Sequence, residues 1–519
     1  MSSSHLPAHP HLDHLKHQAR ALQGAFLRGD AVAVERVRAV IGPTTRLKLT
    51  EAQLVIAREY GFSSWAKLRT HVQASRGVDE AADAFLAAVT AGDAGRALDV
   101  LRSEPRIAST RLHVAAVLGL DAEVRRLVAE DAAQVNTRAG HSPADPLLWL
   151  CYSPFHGESP QRDDGLAAAA RILLDSGADA NTRDAQHGVP ALYAVTGHRN
   201  VPRIARLLLE AGANPNDGES VFHAAQLFHE EALDLLLQFN VDLNFTGDWG
   251  NTPLHFLLSY RESEWEADRV NRGLSWLLEH GADPDVRSGR DRETALHAAA
   301  RRGWSPEIVQ QLLAHGADVH ARRADGRTAW VLARRSGFHH VAALLEHAGA
   351  AAESLAPADA LMAACARGDA SAARRLASPE ARMALDTGAL RLLPEAAAEG
   401  HRDVVRSCLA AGFPADSTDA FGATALHNAA IRGRARIVRD LLEHGADFNI
   451  RDPEHASSPM GWACFGADVV AEPGGDYADC VRALLEAGAR LSADEHVPRH
   501  AGVLEVLRTR ERGAGSSAP

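Results

Sequence analysis

A unit of about 33–35 residues recurs along this 519-residue chain, and that period constrains the fold more than any other feature of the sequence. In each unit a short helix follows a Thr and ends at a Gly, and a second, amphipathic helix ends at a Gly-Ala step. The steps at Gly281 and Gly316 lie 35 residues apart, and those at Gly412 and Gly445 lie 33 apart. Neither helix can bury its apolar stripe alone, so the period predicts stacked helix pairs.

The unit that begins at Thr294 shows the physical reason for each position. Gly303 can adopt the left-handed conformation that ends the first helix, and Ser305 is placed to cap the second. The apolar stripe of the second helix comprises Ile308, Val309, Leu312 and Leu313. We count about eleven or twelve such units between residues 80 and 490, some of them degenerate.

Three copies of one motif indicate the kind of repeat. They read TPLHFL (252–257), TALHAA (294–299) and TALHNA (424–429). This pattern resembles the T-P-L-H-x-A signature of the ankyrin-repeat family. The resemblance implies an all-α ankyrin-repeat α-solenoid with short β-hairpin or loop fingers. It also implies that the motif Thr and His form hydrogen bonds within and between repeats, which assigns a structural role to His255, His297 and His427.

The resemblance further implies a partner-binding surface on the concave face of the solenoid. In this family it is formed by the hairpin tips and by the two positions before the Gly that ends each first helix. Here the tip positions are Trp249, Asn251, Glu293, Arg327, Phe421 and Ala423. The first-helix positions are Ser259, Tyr260, Arg301, Arg302, Arg335, Ile431 and Arg432. Because Arg binds carboxylates in a bidentate manner and aromatic residues often anchor interfaces, this set predicts a protein partner with an acidic patch.

Residues 11–76 have a different rhythm and precede the repeats. Their apolar spacing predicts a series of helices, the first ending near Gly29, and Thr50 with Gln53 predicts a capping box for the third. The segment is similar to the short helical region that precedes ankyrin arrays in some bacterial proteins. We expect it to cap the solenoid.

The same segment raises an alternative, a DNA-binding regulator. Residues 1–76 carry eleven basic and five acidic residues, whereas the rest of the chain is acidic, with an overall net charge of −12. A helix–turn–helix would cover residues 50–72, but Lys67 stands where that motif needs an apolar residue. Only Lys67, Arg69 and Thr70 could reach bases, so the sequence favours a structural role for the segment.

Changes of rhythm divide the chain into segments. The stretch AGAAAESLAPAD (348–359) is a candidate break between two sub-stacks. We expect a disordered lead at 1–10, the helical module at 11–76, a first sub-stack of repeats at 80–347, a second at 348–490, and a C-terminal cap and tail at 491–519.

No sequence pattern of catalysis, cofactor binding or metal binding emerges. The five cysteines are widely spaced and include no C-x-x-C pair, which argues against a disulfide framework and a thiolate zinc site. Histidines crowd the N-terminus, but a flexible lead cannot hold converging ligands. Three lengthened units, with insertions at 153–165, 259–273 and 465–479, keep open the alternative of an effector or enzyme whose site lies in an insertion.

The sequence therefore predicts a non-catalytic scaffold that binds another protein. No apolar run approaches the roughly eighteen residues that a membrane span needs, and the N-terminus lacks the apolar core of a signal peptide. We expect a cytoplasmic monomer that does not bind membranes or nucleic acid. Arg replaces Lys after residue 76, and this bias is typical of a bacterial chain.

Overall fold

The computed structural model describes residues 12–140, 143–247, 250–259 and 267–515. Within these residues the regular structure is helical, and extended pairing is limited to isolated antiparallel bridges. Internal contacts divide the chain into two compact units, residues 1–247 and residues 248–519.

The first unit contains the N-terminal module and the first series of helix pairs. The α-helices of this unit are α1 (Leu12–Leu27), α2 (Ala31–Ile41), α3 (Leu49–Glu59), α4 (Trp65–Thr90), α5 (Ala94–Ser103), α6 (Ile107–Thr110), α7 (Leu112–Val117), α8 (Asp121–Glu130), α9 (Pro146–Cys151), α10 (Pro160–Asp175), α11 (Ala191–Tyr193), α12 (Pro202–Glu210), α13 (Ser220–Leu227) and α14 (Glu230–Gln238). A 3-10 turn at Ala132–Asn136 follows α8, and a π-helical turn at Ala194–His198 continues α11.

The module at the start of this unit forms a small apolar core of its own. The stripe of α1 is buried at Leu15, Ala19 and Leu22, as its spacing predicts, and it packs against α2 and α3. The predicted capping box at Thr50 and Gln53 is wrong. Helix α3 begins after Lys48, which is extended and whose N–H donates to Glu51 Oε2 at 2.7 Å; this is half of a capping box, because the Lys48 side chain has no acceptor atom.

Helix α4 belongs to the module and to the repeats at once. Leu68 and Val72, near its start, are buried in the module core, whereas Phe85 and Leu86 are buried nearer its end, and α4 packs against α5, α6 and α7. The boundary that we expect between residues 76 and 80 falls inside this helix. The division of the chain into domains stays a prediction.

The second unit continues the alternation of first and second helices. The α-helices of this unit are α15 (Pro253–Leu257), α16 (Ala267–Glu279), α17 (Ala295–Arg302), α18 (Pro306–Ala314), α19 (Ala329–Arg335), α20 (His339–His347), α21 (Pro357–Ala366), α22 (Ala370–Leu376), α23 (Pro379–Met383), α24 (Thr387–Leu390), α25 (Leu392–Glu399), α26 (Arg402–Ala410), α27 (Ala425–Ile431), α28 (Ala435–Glu443), α29 (Pro459–Phe465), α30 (Tyr477–Ala487) and α31 (Ala501–Gly515). A π-helical turn at Gly466–Val470 extends α29.

Each helix pair is stabilised by burial against its neighbours. First helices α15, α17, α19 and α21 pack in sequence, as do second helices α16, α18 and α20. Gly303 ends α17 with φ 73°, and a Cβ there would lie 2.3 Å from the ring of Phe338 in the next repeat. Ser305 occupies the N-cap position of α18, but its hydroxyl accepts no backbone N–H there, so that part of the prediction is wrong.

Two of the three predicted insertions lie entirely within the described residues. Residues 153–165 turn back and supply the first turn of α10, with Phe155 buried. Residues 465–479 contain the π-helical turn and lead into α30. Part of the second insertion, residues 260–266, lies outside the described residues.

The five cysteines are buried and unpaired, as their spacing predicts. Burial raises the pKa of the Cys464 thiol to about 12, which disfavours the reactive thiolate. Among the described residues, none of the helices combines the length and the apolar character that a membrane span requires.

Candidate functional site

A short hairpin, here called a finger, precedes several first helices. The two sides of each finger are joined by an antiparallel bridge, which pairs Ser288 with Glu293, Arg322 with Thr328, and Thr418 with Thr424 in the second unit. Bridges also join Ala139 to Ala144 and Arg183 to Pro190 in the first unit. Of the predicted tip residues, Glu293, Arg327, Phe421 and Ala423 therefore lie on these hairpins.

The motif Thr and His hold each finger to its helix and to the next repeat. His297 Nδ1 lies 2.7 Å from Thr294 Oγ1 and accepts the Thr294 N–H, while Nε2 lies 3.2 Å from the Arg327 carbonyl of the following finger. His255 and His427 repeat this arrangement. Burial lowers the pKa of all three imidazoles. The structural role that we predict for them is confirmed.

The finger at residues 288–293 and the finger at residues 322–328 share an ion-pair cluster. Glu293 accepts from Arg301 Nε at 3.2 Å and from Arg323 Nη1 at 2.5 Å. Burial opposes ionisation of Glu293, but Arg301 and Arg323 outweigh it and the pKa of this carboxyl is lowered. Glu293 and Arg301 thus lie together, and the charge of Arg301 is already partly compensated within the protein.

A second cluster engages Arg327 and Arg335. Asp359, at the start of α21, is buried and accepts from Arg327 Nη2 and Arg335 Nη1, both at 2.9 Å. Asp386 accepts from Arg335 Nη2 at 2.8 Å. Burial opposes ionisation of Asp386, but the charge of Arg335 prevails and lowers its pKa. These two predicted arginines are internal ion-pair partners, so an acidic partner would have to displace existing carboxylates.

The finger at residues 418–424 differs, because its tip is apolar and exposed. Phe421 has a relative exposure of 76%, whereas Ala423 is 2% exposed and has little surface to offer. Asp419 fixes the tip by accepting the N–H groups of Phe421 and Ala423 at 2.9 and 3.0 Å. The side-chain amide of Asn428, on α27, donates to the same carboxylate at 2.8 Å.

Ile431 and Arg432 lie one turn beyond Asn428, at the end of α27. Ile431 is half-buried, and its carbonyl lies against Gly466 of the third insertion. Arg432 is exposed, and its Nη1 lies 3.1 Å from Oε2 of the half-buried Glu472. Arg302, in the equivalent position of α17, is half-buried.

Asn251 and Ser259 line a cleft of about 210 Å³ that also includes Glu293 and Arg301. Ser288 Oγ donates to Asn251 Oδ1 at 2.8 Å, and Ser259 Oγ donates to the His255 carbonyl at 2.6 Å. The cleft therefore joins four predicted residues. Trp249 and Tyr260, also predicted for this surface, lie outside the described residues.

The structure gives less support to the two alternative functions, DNA binding and catalysis. The 26-residue helix α4 carries the exposed side chains of Lys67, Arg69 and Thr70. Its buried face, however, packs both in the core of the module and against the first repeats. At the first insertion an open cleft of about 840 Å³ is lined by Asp121, Glu123, Glu158 and Asp164 among others, with no His or Cys in its wall. Among the described residues, no group of three or more His, Cys, Asp and Glu side chains could hold a metal ion.

Sequence reasoning placed no partner-binding residue in the first unit. There Tyr152, Tyr193, His198 and His223 contact one another across three successive first helices. Two of them, Tyr193 and His198, could have been predicted from the register of the first helix in VPALYAVTGH (189–198).

Comparison with known proteins agrees with this architecture. The family described as ankyrin repeats (3 copies) matches residues 266–356, 296–387 and 393–495. The E3 ubiquitin-protein ligase KEG of Arabidopsis thaliana is 27% identical over 219 residues, which are 40% of this chain and 13% of that protein. The B-cell lymphoma 3 protein homolog of Mus musculus is 27% identical over 248 residues, which are 40% of this chain and 53% of that protein. This chain spans at most about half the length of these two relatives.

Among solved structures, the human ASB11 ankyrin repeat domain is similar, with 26% identity and a TM-score of 0.35. The match covers 47% of this chain and 100% of that domain. The residues that the family matches include the fingers at residues 288–293, 322–328 and 418–424 and the caps formed by His297 and His427. Residues 266–387 and 393–495 therefore match the ankyrin-repeat family, and the described residues form an all-α repeat fold preceded by a small helical module.

Proposed function

We propose that this chain is a non-catalytic scaffold that binds another protein through the fingers and first-helix ends of its second unit. Ankyrin repeats generally mediate protein–protein interaction, and most are not catalytic. The proposal adds the surface on which the partner binds.

The exposed ring of Phe421 is the observation that carries this proposal. A large apolar side chain that is 76% exposed gains most by transfer into a partner's pocket. Its backbone is held by Asp419, so little conformational entropy is lost when the ring is buried. Arg432 at the same face can supply a polar contact at the rim.

The contacts of the arginines refine the predicted partner. Arg301, Arg327 and Arg335 are engaged by Glu293, Asp359 or Asp386. We therefore propose that the partner offers an apolar pocket for Phe421, with acidic groups only at the edge near Arg432.

A comparative pull-down tests the proposal. The full chain and Phe421→Ala are used to capture proteins from the native cell, and mass spectrometry quantifies the difference. We expect one partner to be depleted about 30-fold or more by the substitution, since buried aromatic anchors can contribute 2 kcal/mol or more. Met383→Ala is the matched control, because Met383 is 86% exposed and lies on α23, not on a finger.

Equal capture by the full chain, Phe421→Ala and Met383→Ala would contradict the proposed surface. Loss of capture on deletion of residues 1–76 alone, with strong dependence on salt, would instead favour the DNA-binding alternative. Turnover of a substrate by the purified chain would favour the enzyme alternative.

A further inference from the structure

The π-helical turn that extends α29 exposes a group of apolar side chains. Phe465, Val469 and Val470 are 41%, 59% and 38% exposed, and Val497, in the segment before α31, is 72% exposed. They are four of the ten large apolar side chains that are exposed among the described residues. Single exposed apolar residues are ordinary, whereas a group of them marks an interaction surface. We call these four residues the turn patch.

Asp468 joins the two segments that carry the turn patch. Its Oδ2 lies 2.9 Å from His496 Nε2, and its carboxylate accepts two backbone N–H groups just before α31 at 2.6 and 2.8 Å. The ring of Phe465 meets the ring of His496 edge-on, with centroids 5.5 Å apart. Val469 follows Asp468 in the sequence and Val497 follows His496, so both valines lie beside this joint.

The core of the second unit does not use these exposed side chains. Cys464 and Ala467, from the same stretch of chain, are buried in that core. Ala471 closes the turn in the left-handed conformation, with φ 46°, and its N–H donates to the Gly466 carbonyl at 2.8 Å. A residue with a side chain adopts this conformation only at a cost in free energy. The backbone that presents the turn patch is therefore fixed before a partner binds, which reduces the entropy lost on binding.

The turn patch continues the row of first-helix ends in the second unit. Phe465 occupies in α29 the position that Ile431 occupies in α27, since each is the last residue of its helix. A side chain at Gly466 would collide with the Ile431 carbonyl, so the turn lies directly against the end of α27. The turn patch therefore extends the surface on which we propose that the partner binds.

A charged cleft of about 400 Å³ begins at Glu472, two residues after Val470. It is lined by Glu395, Ala398, Glu399, Arg432, Arg434 and Glu472. Both guanidinium groups contact Glu472, at 3.1 and 3.3 Å, and Glu399 lies 3.1 Å from His401. The lining thus carries three carboxylates and two guanidinium groups, and a further cation would complement the excess of negative charge.

We propose that the turn patch and the charged cleft together bind a segment of a partner protein that carries large apolar side chains next to a Lys or Arg. The apolar side chains pack on the turn patch, and the cation lies beside Glu395 and Glu399, which are one helical turn apart on α25. This inference rests on the proposed function for the binding of a protein to this face, and it adds the chemistry of the bound segment. An acidic group of the partner beside Arg432 is compatible with it, because Arg432 follows α27, the next first helix.

The test uses the full chain and three fluorescently labelled synthetic peptides. The Leu/Lys peptide has Leu on the apolar face of an amphipathic helix and Lys on the polar face. The Leu/Glu peptide replaces each Lys by Glu, and the Ser/Lys peptide replaces each Leu by Ser. Fluorescence anisotropy measures the affinities at about 150 mM salt, where long-range attraction between exposed charges is screened. We expect the Leu/Lys peptide to bind at least about tenfold more tightly than either of the others.

Two variants assign that binding to the turn patch and to the cleft. Val469→Ser should weaken the Leu/Lys peptide about tenfold, because it removes an apolar contact. Glu395→Gln combined with Glu399→Gln should abolish most of the preference for Lys over Glu. The matched controls are Val32→Ser, at a 67% exposed position of α2, and Glu486→Gln, at an exposed position of α30, and neither should change the affinities.

Thermal unfolding checks that each variant is folded. All midpoints should lie within about 2 °C of the parent value, because the substituted side chains are mostly exposed. Val497→Ser, at a 72% exposed position, repeats the test of the turn patch if Val469→Ser lowers the midpoint.

Phe421→Ala separates this inference from the proposed finger surface. It should leave binding of the Leu/Lys peptide unchanged, because Phe421 belongs to neither the turn patch nor the cleft. If Phe421→Ala depletes a cellular partner while Val469→Ser binds the peptide normally, only this inference fails. If Val469→Ser weakens the peptide while Phe421→Ala captures every partner, only the finger surface fails.

Three further results would overturn the inference. The first is binding of the Leu/Glu or the Ser/Lys peptide as tight as that of the Leu/Lys peptide. The second is tighter binding of phosphatidylcholine vesicles than of the Leu/Lys peptide, lost in Val469→Ser, which would make the turn patch a lipid-binding surface. The third is self-association of the chain in sedimentation that Val469→Ser abolishes, which would make a second copy the occupant.

Discussion

Two fingers of the second unit have the same backbone design and opposite surfaces. The fingers at residues 322–328 and 418–424 are each closed by one antiparallel bridge and followed by a Thr-capped helix. In the first, Arg327 is drawn into ion pairs with Asp325 and Asp359. In the second, Phe421 points its ring at solvent.

The difference comes from the residues themselves, since Phe421 stands where the first finger has Asp325 and Arg327 where the second has Ala423, and from the neighbour that each finger meets. The first faces the start of α21, where buried Asp359 needs cationic partners. The second faces Pro453, whose Cγ would lie 2.7 Å from a Cβ on Gly422 and which brings no charge. The motif therefore fixes the position of a residue on the finger. Contacts with the adjacent repeat decide whether its side chain remains available to a partner.

The largest expected effect is on the charged finger. Asp359→Ala should lower the free energy of unfolding by about 3 kcal/mol, because it leaves Arg327 and Arg335 with less counter-charge in a buried site. Urea unfolding measures it. A loss below about 1 kcal/mol would show that Asp325 and Asp386 suffice to compensate both arginines.

A smaller effect should be common to both kinds of finger. His297→Ala and His427→Ala should each cost about 1–3 kcal/mol, because each removes a buried cap and strands the carbonyl of the next finger. The two costs should agree closely if the cap is independent of tip chemistry. Unchanged stability in either variant would refute its structural role.

A change of pH tests the same histidines together. Burial lowers the folded-state pKa of His255, His297 and His427 below the unfolded value of about 6.5, so the unfolded chain binds more protons as the pH falls. The three histidines therefore contribute fully to the free energy of unfolding above about pH 6.5, and this contribution is lost progressively as the pH falls below that value.

Between pH 7.5 and 5.5 we expect a loss of up to about 1.4 kcal/mol per histidine in urea unfolding. Glu293 and Asp386 have lowered pKa values and contribute only in the more acidic range below about pH 4.5. His297→Ala should make the dependence shallower. Equal or greater stability at pH 5.5 would contradict the assignment.

The smallest effect on stability should be at the apolar tip. Phe421→Ala should change the free energy of unfolding by no more than about 0.5 kcal/mol, because the ring is mostly exposed. Arg327→Ala, at the position of the charged finger that Ala423 occupies in the apolar one, should cost more. Equal costs in thermal or urea unfolding would remove the distinction between the two fingers.

Local sequence determined much of the repeat. The Thr294–His297 cap, the Gly303 helix end and the buried Leu312 stripe depend on residues within a few positions of one another. Such interactions follow from helix geometry and are therefore visible in sequence spacing. The start of α3 shows the limit, because the sequence could not tell whether Thr50 with Gln53 or Lys48 with Glu51 would lie there.

Tertiary structure alone decided which side chains are free to bind. Arg335 meets Asp359 across 24 residues and Asp386 across 51, and both contacts depend on how neighbouring repeats stack. The same stacking leaves the ring of Phe421 exposed to solvent. The physical reason is that burial and Coulomb energy depend on distances between repeats, whereas the motif specifies only the geometry within one.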